Sequence, residues 1–174
     1  MLISEEYKEA IRAHRGRNPA WGSKAYKALP HINQLVKLTG AYSVIDYGCA
    51  KGRLVDLLIE QGLEAYGYDP CVEEFSVDPP VCDVIACRDV MEHVERECVD
   101  EVLAHMRSKA RKAAWLLIVL RETKDWLEDG RNAHITVLPG ETWIELLGQH
   151  WARVDVRQHK ANDILNVFCF TEAA

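Results

Sequence analysis

A chain of 174 residues, 48% hydrophobic and 28% charged, has the size and composition of one globular domain with a substantial core. Its net charge is −6, no apolar run approaches the ~20 residues of a membrane span, and the opening Met1-Leu2-Ile3-Ser4-Glu5-Glu6 lacks the basic start and apolar stretch of a secretion signal. Six cysteines without a Cys-x-x-Cys pair argue against a disulfide framework or a zinc–thiolate site, and imply reduced thiols in a cytoplasmic protein.

The pattern predicts a helix over residues 4–14, broken at Asn18-Pro19 and Trp21-Gly22. Ser23 is the expected cap of a second helix running to Leu38 and ended by Gly40. Residues 1–39 hold seven Lys or Arg against three Glu, a charge of +4 that leaves −10 for the remainder. Residues 1–40 therefore form a basic helical leader, a candidate lid, on a main domain of residues 41–174.

That domain is organised around Ser43–Arg53, S-V-I-D-Y-G-C-A-K-G-R. Val44 and Ile45 end a buried strand, Asp46, Gly48 and Gly52 make a tight turn, and Leu54, Val55, Leu57, Leu58 and Ile59 give the following helix, to Gln61, its apolar face. Such a turn brings a ligand against bare backbone amides at a helix N-terminus. No Lys-Ser or Lys-Thr pair follows the last glycine, which excludes a phosphate-binding P-loop. A strand over 64–68 ends at Asp69, 23 residues beyond Asp46, at the spacing of a carboxylate that accepts from both hydroxyls of a ribose.

Residues 71–82 are irregular, with room for a short element near 75–77. A strand over 83–87 leads through Arg88-Asp89-Val90-Met91-Glu92-His93 into one long amphipathic helix reaching Met106. On a helix, Asp89, Glu92 and His93 share one side, two carboxylates and an imidazole at the mouth of the sheet. That set suits Mg²⁺ or Mn²⁺, or Fe²⁺, better than structural zinc. A buried strand over 114–120, a polar loop over 121–133, His134, a helix over 141–149 and strands over 154–157 and 164–170, joined through Asn162-Asp163, complete the chain. The order predicts an α/β fold, a doubly wound, mostly parallel, Rossmann-like sheet with a C-terminal antiparallel hairpin and N-terminal helices.

The loop at Asp46–Gly52 resembles the first motif of class I S-adenosylmethionine (SAM) dependent methyltransferases, apolar-apolar-acid-x-Gly-x-Gly-x-Gly, with Ala50 in place of the middle glycine. With Asp69, D-V-I-A-C-R-D-V-M-E-H-V and H-I-T-V-L-P-G-E-T-W-I-E-L-L, residues 42–170 resemble the ubiquinone-biosynthesis type of O-methyltransferase. The leader and the D-G-R-N-A-H stretch are similar to small phage-encoded methyltransferase-like proteins. The resemblance implies that Asp46, Gly48, Cys49 and Gly52 line the methionine and ribose of SAM, that Asp69 holds the ribose, and that Arg88 and Asp89 lie beside the methionine. It puts Phe75 or Val77 beside adenine, and the leader, with Trp21, Lys24 and Tyr26, over the cleft.

Two metal-assisted families, the ubiquinone O-methyltransferases and the small-RNA 3′-terminal 2′-O-methyltransferases, are similar around Glu92-His93. That similarity implies a cation held by Asp89, Glu92, His93 and His134; without metal, His93 or His134 is the expected general base. The function implied is methyl transfer to an oxygen, ahead of nitrogen, of a small molecule or a nucleic-acid end. The alternative is a non-catalytic SAM-fold protein that binds or inhibits a protein partner.

Overall fold

The computed structural model describes residues 1–17, 22–160 and 163–173. Trp21, the Asn18-Pro19 break and Asn162 lie outside the described residues. Strands β1 (Ser43–Tyr47), β2 (Glu64–Tyr68), β3 (Cys82–Arg88), β4 (Ala110–Val119), β5 (Arg153–Lys160) and β6 (Ile164–Phe170) form one sheet in the order β2-β1-β3-β4-β6-β5. The first four run parallel, and β6 is antiparallel to β4 and β5. The expected doubly wound sheet with a closing hairpin is present.

Alternation along the strands sorts side chains onto two faces. Ile45, Ile85, Leu116 and Val167 pack against α4 (Val99–Lys109) and α5 (Gly140–His150) through Leu103, Met106, Trp143 and Leu147. Val44, Val84, Trp115 and Phe168 pack against α2 (Leu29–Thr39) and α3 (Arg53–Glu60) through Ile32, Leu35, Leu54 and Leu58. A third, smaller cluster joins Tyr7 and Ile11 of α1 (Glu5–Gly16) to Cys71, Leu127 and Ala133. All six cysteines are free and buried. Among the described residues no helix is long and apolar enough to cross a membrane.

Three expectations are corrected. The second leader helix is not capped by Ser23: a 3₁₀ turn over Ala25–Ala28 precedes α2, which begins with Pro30 in its first turn and ends at Gly40 in the left-handed conformation (φ 60°). Between β2 and β3 the short element expected near 75–77 is a 3₁₀ turn lying two residues earlier, at Glu73–Phe75. The long helix after β3 is broken: Met91–His93 and Arg96–Cys98 are 3₁₀ turns separated by extended Val94 and Glu95, and the helix begins only at Val99. Tertiary bonds hold this stretch open. Thr136 donates its amide to the Glu92 carbonyl (3.0 Å) and its hydroxyl to the Val94 carbonyl (2.6 Å), and Glu95 is drawn to Ser4.

Candidate active site

The C-terminal ends of β1, β2 and β3 converge, where open α/β sheets place ligands. The turn after β1 runs through left-handed backbone at Gly48 (φ 81°), Ala50 (φ 50°) and Gly52 (φ 69°). Ala50 thus occupies a position that favours glycine, at a cost of roughly 1–2 kcal/mol. The turn's amides are not bare. Gly48 and Cys49 donate to the Tyr68 carbonyl (2.7 and 3.2 Å), Gly52 to the Cys49 carbonyl (2.9 Å), and Ala50 to Asp69 Oδ2 (3.1 Å). These bonds tie the turn to the end of β2 and make it a shaped wall.

Close packing explains the glycines. A Cβ at Gly48 would lie 2.3 Å from Val90 Cγ2, one at Gly52 2.7 Å from Phe75 Cζ, and one at Gly67 2.8 Å from both Phe75 Cδ1 and Cys49 Sγ. Phe75 therefore packs against the turn, whereas Val77 is 77% exposed. Cys49 turns its thiol under Gly67, and burial pushes that thiol's pKa up.

Asp69 is 1% exposed. Its Oδ1 accepts from the Cys71 amide (2.9 Å), and its Oδ2 from the Ala50 amide and from Arg15 Nη1 (2.7 Å). Asp46 is buried nearby; burial first, and the Asp69 charge second, raise its pKa to about 7. A cavity of about 60 Å³ is lined by Tyr7, Ile11 and Arg15 of α1 on one side and by Gly48, Asp69 and His93 on the other. Of the expected cofactor residues, Gly48 and Asp69 line it; Arg88 and Asp89 pair with each other instead (2.8 Å). Lys24 gives its carbonyl to Arg88 Nη1 (3.5 Å), and Tyr26 is 57% exposed.

Beside this cavity, one ligand atom each from Glu92, His93 and His134 lie within 4.8 Å of one another. The grouping was anticipated, but neither the helix nor Asp89 provides it. Asp89 has left-handed backbone (φ 54°) and gives its carboxylate to Arg88. Glu92 and His93 come from the 3₁₀ turn after β3, and His134 from the loop after β4. His93 Nδ1 lies 2.6 Å from the Ala133 carbonyl and His134 Nδ1 2.7 Å from the Arg121 carbonyl. A carbonyl only accepts, so each Nδ1 carries a proton, and a neutral ring then has its lone pair on Nε2. The rings meet edge to face at 4.8 Å.

Glu92 is fully buried; Oε1 accepts from the Val119 amide (3.2 Å), and Oε2 finds no hydrogen-bond partner among the described residues. Burial first, then the Asp89 charge, raise its pKa to about 8, while burial lowers that of His93 to about 3.

Two functional features escaped the sequence reading. Asn132 shapes the loop that presents His134, accepting from the Thr123 and His134 amides (3.2 and 2.9 Å). Arg15 reaches the cleft as the third member of a stripe, Tyr7, Ile11, Arg15, whose four-residue spacing was the available signal.

Residues 9–159 match the sequence profile of a family described as a methyltransferase domain. The chain belongs to this family. No curated protein matches it. This methyltransferase domain is similar in fold to magnesium protoporphyrin IX methyltransferase from Synechocystis PCC 6803 with bound SAH (15% identity, 87% of this chain and 83% of that one, TM-score 0.62). It is likewise similar to 1,6-didemethyltoxoflavin-N1-methyltransferase from Burkholderia thailandensis with bound 1,6-didemethyltoxoflavin and S-adenosylhomocysteine (15%, 98% and 91%, 0.59). A third likeness is to the methyltransferase domain of bacterial-CtHen1-CN (16%, 82% and 96%, 0.61). At these identities the likeness is one of fold.

Proposed function

We propose that this domain binds SAM in the cleft between the Gly48 turn and Asp69 and transfers its methyl group to an oxygen, ahead of nitrogen, of a small molecule or a nucleic-acid end. The observation that carries the reading is Asp69: a buried carboxylate at the end of β2, bonded to the Ala50 amide of the β1 turn, in a chain of the methyltransferase domain family. Asp69 would hold the ribose hydroxyls, and Gly48 would face the methionine side. Relatives in fold hold S-adenosylhomocysteine, which supports the choice of donor.

Bound there, SAM supplies a methyl group on a positively charged sulfur. The chain's own part is to align the acceptor, exclude water and remove a proton. Tyr7, Ile11 and Val90 give the cavity an apolar lining. Without a metal, His134 would take the acceptor's proton through Nε2, its Nδ1–H being held by the Arg121 carbonyl. His93, lowered to about 3, is too weak a base for that task near neutral pH.

The proposal includes a divalent cation, Mg²⁺ or Mn²⁺, held by Glu92, His93 and His134. The residues fit. Glu92 Oε2 is a buried acceptor without a donor among the described residues, and both imidazoles give Nδ1–H to a backbone carbonyl, the outer-shell bond usual for ligating histidines. A cation there would polarise an acceptor hydroxyl and lower its pKa. Two imidazoles favour Mn²⁺ over Mg²⁺.

Calorimetric titration of SAM, then of Mn²⁺ and Mg²⁺ after EDTA treatment, tests both parts. Wild type should bind SAM and Asp69→Ala should lose it; Mn²⁺ should bind wild type and not Glu92→Gln. SAM binding unaffected by Asp69→Ala would overturn the donor site, and Mn²⁺ binding by Glu92→Gln equal to wild type would overturn the cation site.

A further inference from the structure

Asp69 already has a partner in the place where a ribose belongs. An ionised carboxylate offers about four lone-pair sites. The Cys71 amide takes one on Oδ1, and the Ala50 amide and Arg15 Nη1 take both on Oδ2. Among the described residues one site remains, on Oδ1, whereas a ribose diol needs two. Space agrees with this count. The cavity between α1 and the Gly48 turn is about 60 Å³, against the ~300–1,000 Å³ of pockets that hold small ligands.

We propose that α1 is a latch: Arg15, paired with Asp69, occupies the donor's ribose position, so that SAM enters only when the carboxy-terminal half of α1 leaves the cleft. This rests on the SAM site proposed above.

The helix is anchored unequally. Its amino end is tied by two bonds from Ser4, amide and hydroxyl, to the carboxylate of Glu95 (2.8 and 2.6 Å), and Ser4 Oγ also caps the helix by accepting from the Tyr7 amide (3.1 Å). Tyr7 and Ile11 add apolar burial in the cluster separate from the two main ones. Towards its carboxy end α1 meets the cleft through polar groups, Arg12 Nε on the Cys71 carbonyl (3.0 Å) and Arg15 on Asp69. Releasing that end breaks ion-pair and hydrogen-bond contacts without opening the core on either face of the sheet. The ribose hydroxyls then replace the guanidinium on Asp69.

The test compares wild type, Arg15→Met and Ser4→Ala. SAM affinity is measured by calorimetry, and amide hydrogen exchange is followed over residues 5–16 with and without SAM. Arg15→Met should bind SAM about tenfold tighter, the scale of one charge-assisted hydrogen bond to a buried carboxylate. Ser4→Ala, which loosens the far end of α1 without touching Asp69, should tighten binding by up to about fivefold, the scale of a lost helix cap. In wild type, SAM should speed exchange near Arg15. If wild type binds SAM and Arg15→Met binds no tighter, or if SAM slows exchange across α1, the latch is wrong while the donor site stands. If neither protein binds SAM, the donor reading fails and the latch falls with it.

Discussion

Gly48→Ala tests the packing that shapes the cleft wall. A new Cβ would lie 2.3 Å from Val90 Cγ2 and 3.0 Å from Cγ1, and the residue would keep φ at 81°. The backbone penalty is roughly 1–2 kcal/mol, and overpacking against a stiff β-branched side chain adds about 1–3 kcal/mol. The single variant should therefore lose about 2–5 kcal/mol, or roughly 4–20 °C in Tm for a domain of this size. Val90→Ala alone should cost about 1–2 kcal/mol for lost packing. In the Val90→Ala background the backbone penalty of Gly48→Ala and a 3.2 Å approach to the remaining Cβ at residue 90 should be left, which gives a coupling of about 1–3 kcal/mol between the two sites. Urea denaturation of the four proteins measures the cycle. Additive costs would refute the argument, because they would mean that Val90 is not what excludes a side chain at residue 48.

Asp46 gives a pH signature. Its folded pKa, about 7, lies above the ordinary 3.8, so the stability linked to its neutral form is full below about pH 4 and is lost as pH rises towards 7. About three units at 1.36 kcal/mol each set a ceiling near 4 kcal/mol. Asp46→Asn should lose about 2–4 kcal/mol less than wild type between pH 4 and pH 8 in denaturation curves. Glu92, raised to about 8, titrates over an overlapping range in both proteins and cancels in the comparison; parallel profiles would refute the assignment. Asn166→Ala should cost about 2–3 kcal/mol in urea, because Trp115 Nε1 donates to Asn166 Oδ1 (2.8 Å) in a fully buried site and the indole N–H would be left unpaired. A loss below about 0.5 kcal/mol would mean that the indole finds another acceptor.

Elements governed by neighbouring residues were legible in the chain. The span of β2, the Gly40 helix end, the turn at Asp46–Gly52 and the closing pair β5 and β6 follow from alternation, glycine placement and turn chemistry. The stretch from Asp89 to Cys98 was misread for a physical reason. Its apolar spacing fits a helix, but Thr136 and Ser4, both distant in sequence, capture its carbonyls and the Glu95 carboxylate and hold it open. Ser23 failed as a cap because the helix begins later, after a 3₁₀ turn, with Pro30 in its first turn.

The site divides along the same line. By itself, the sequence determined the family-level pattern: a glycine turn after β1, an acid 23 residues on, and a Glu-His pair after β3. Those signals are local, because a turn's backbone needs and a strand's alternation act over a few residues. The resemblance also grouped His134 with Glu92 and His93; tertiary structure alone decided that a 3₁₀ turn and a loop present them, that Asp89 turns to Arg88, and that Arg15 sits on Asp69. Each of these depends on which loops the sheet order β2-β1-β3-β4-β6-β5 brings to one end, and on burial that sets the charge of a carboxylate. A linear pattern carries neither quantity.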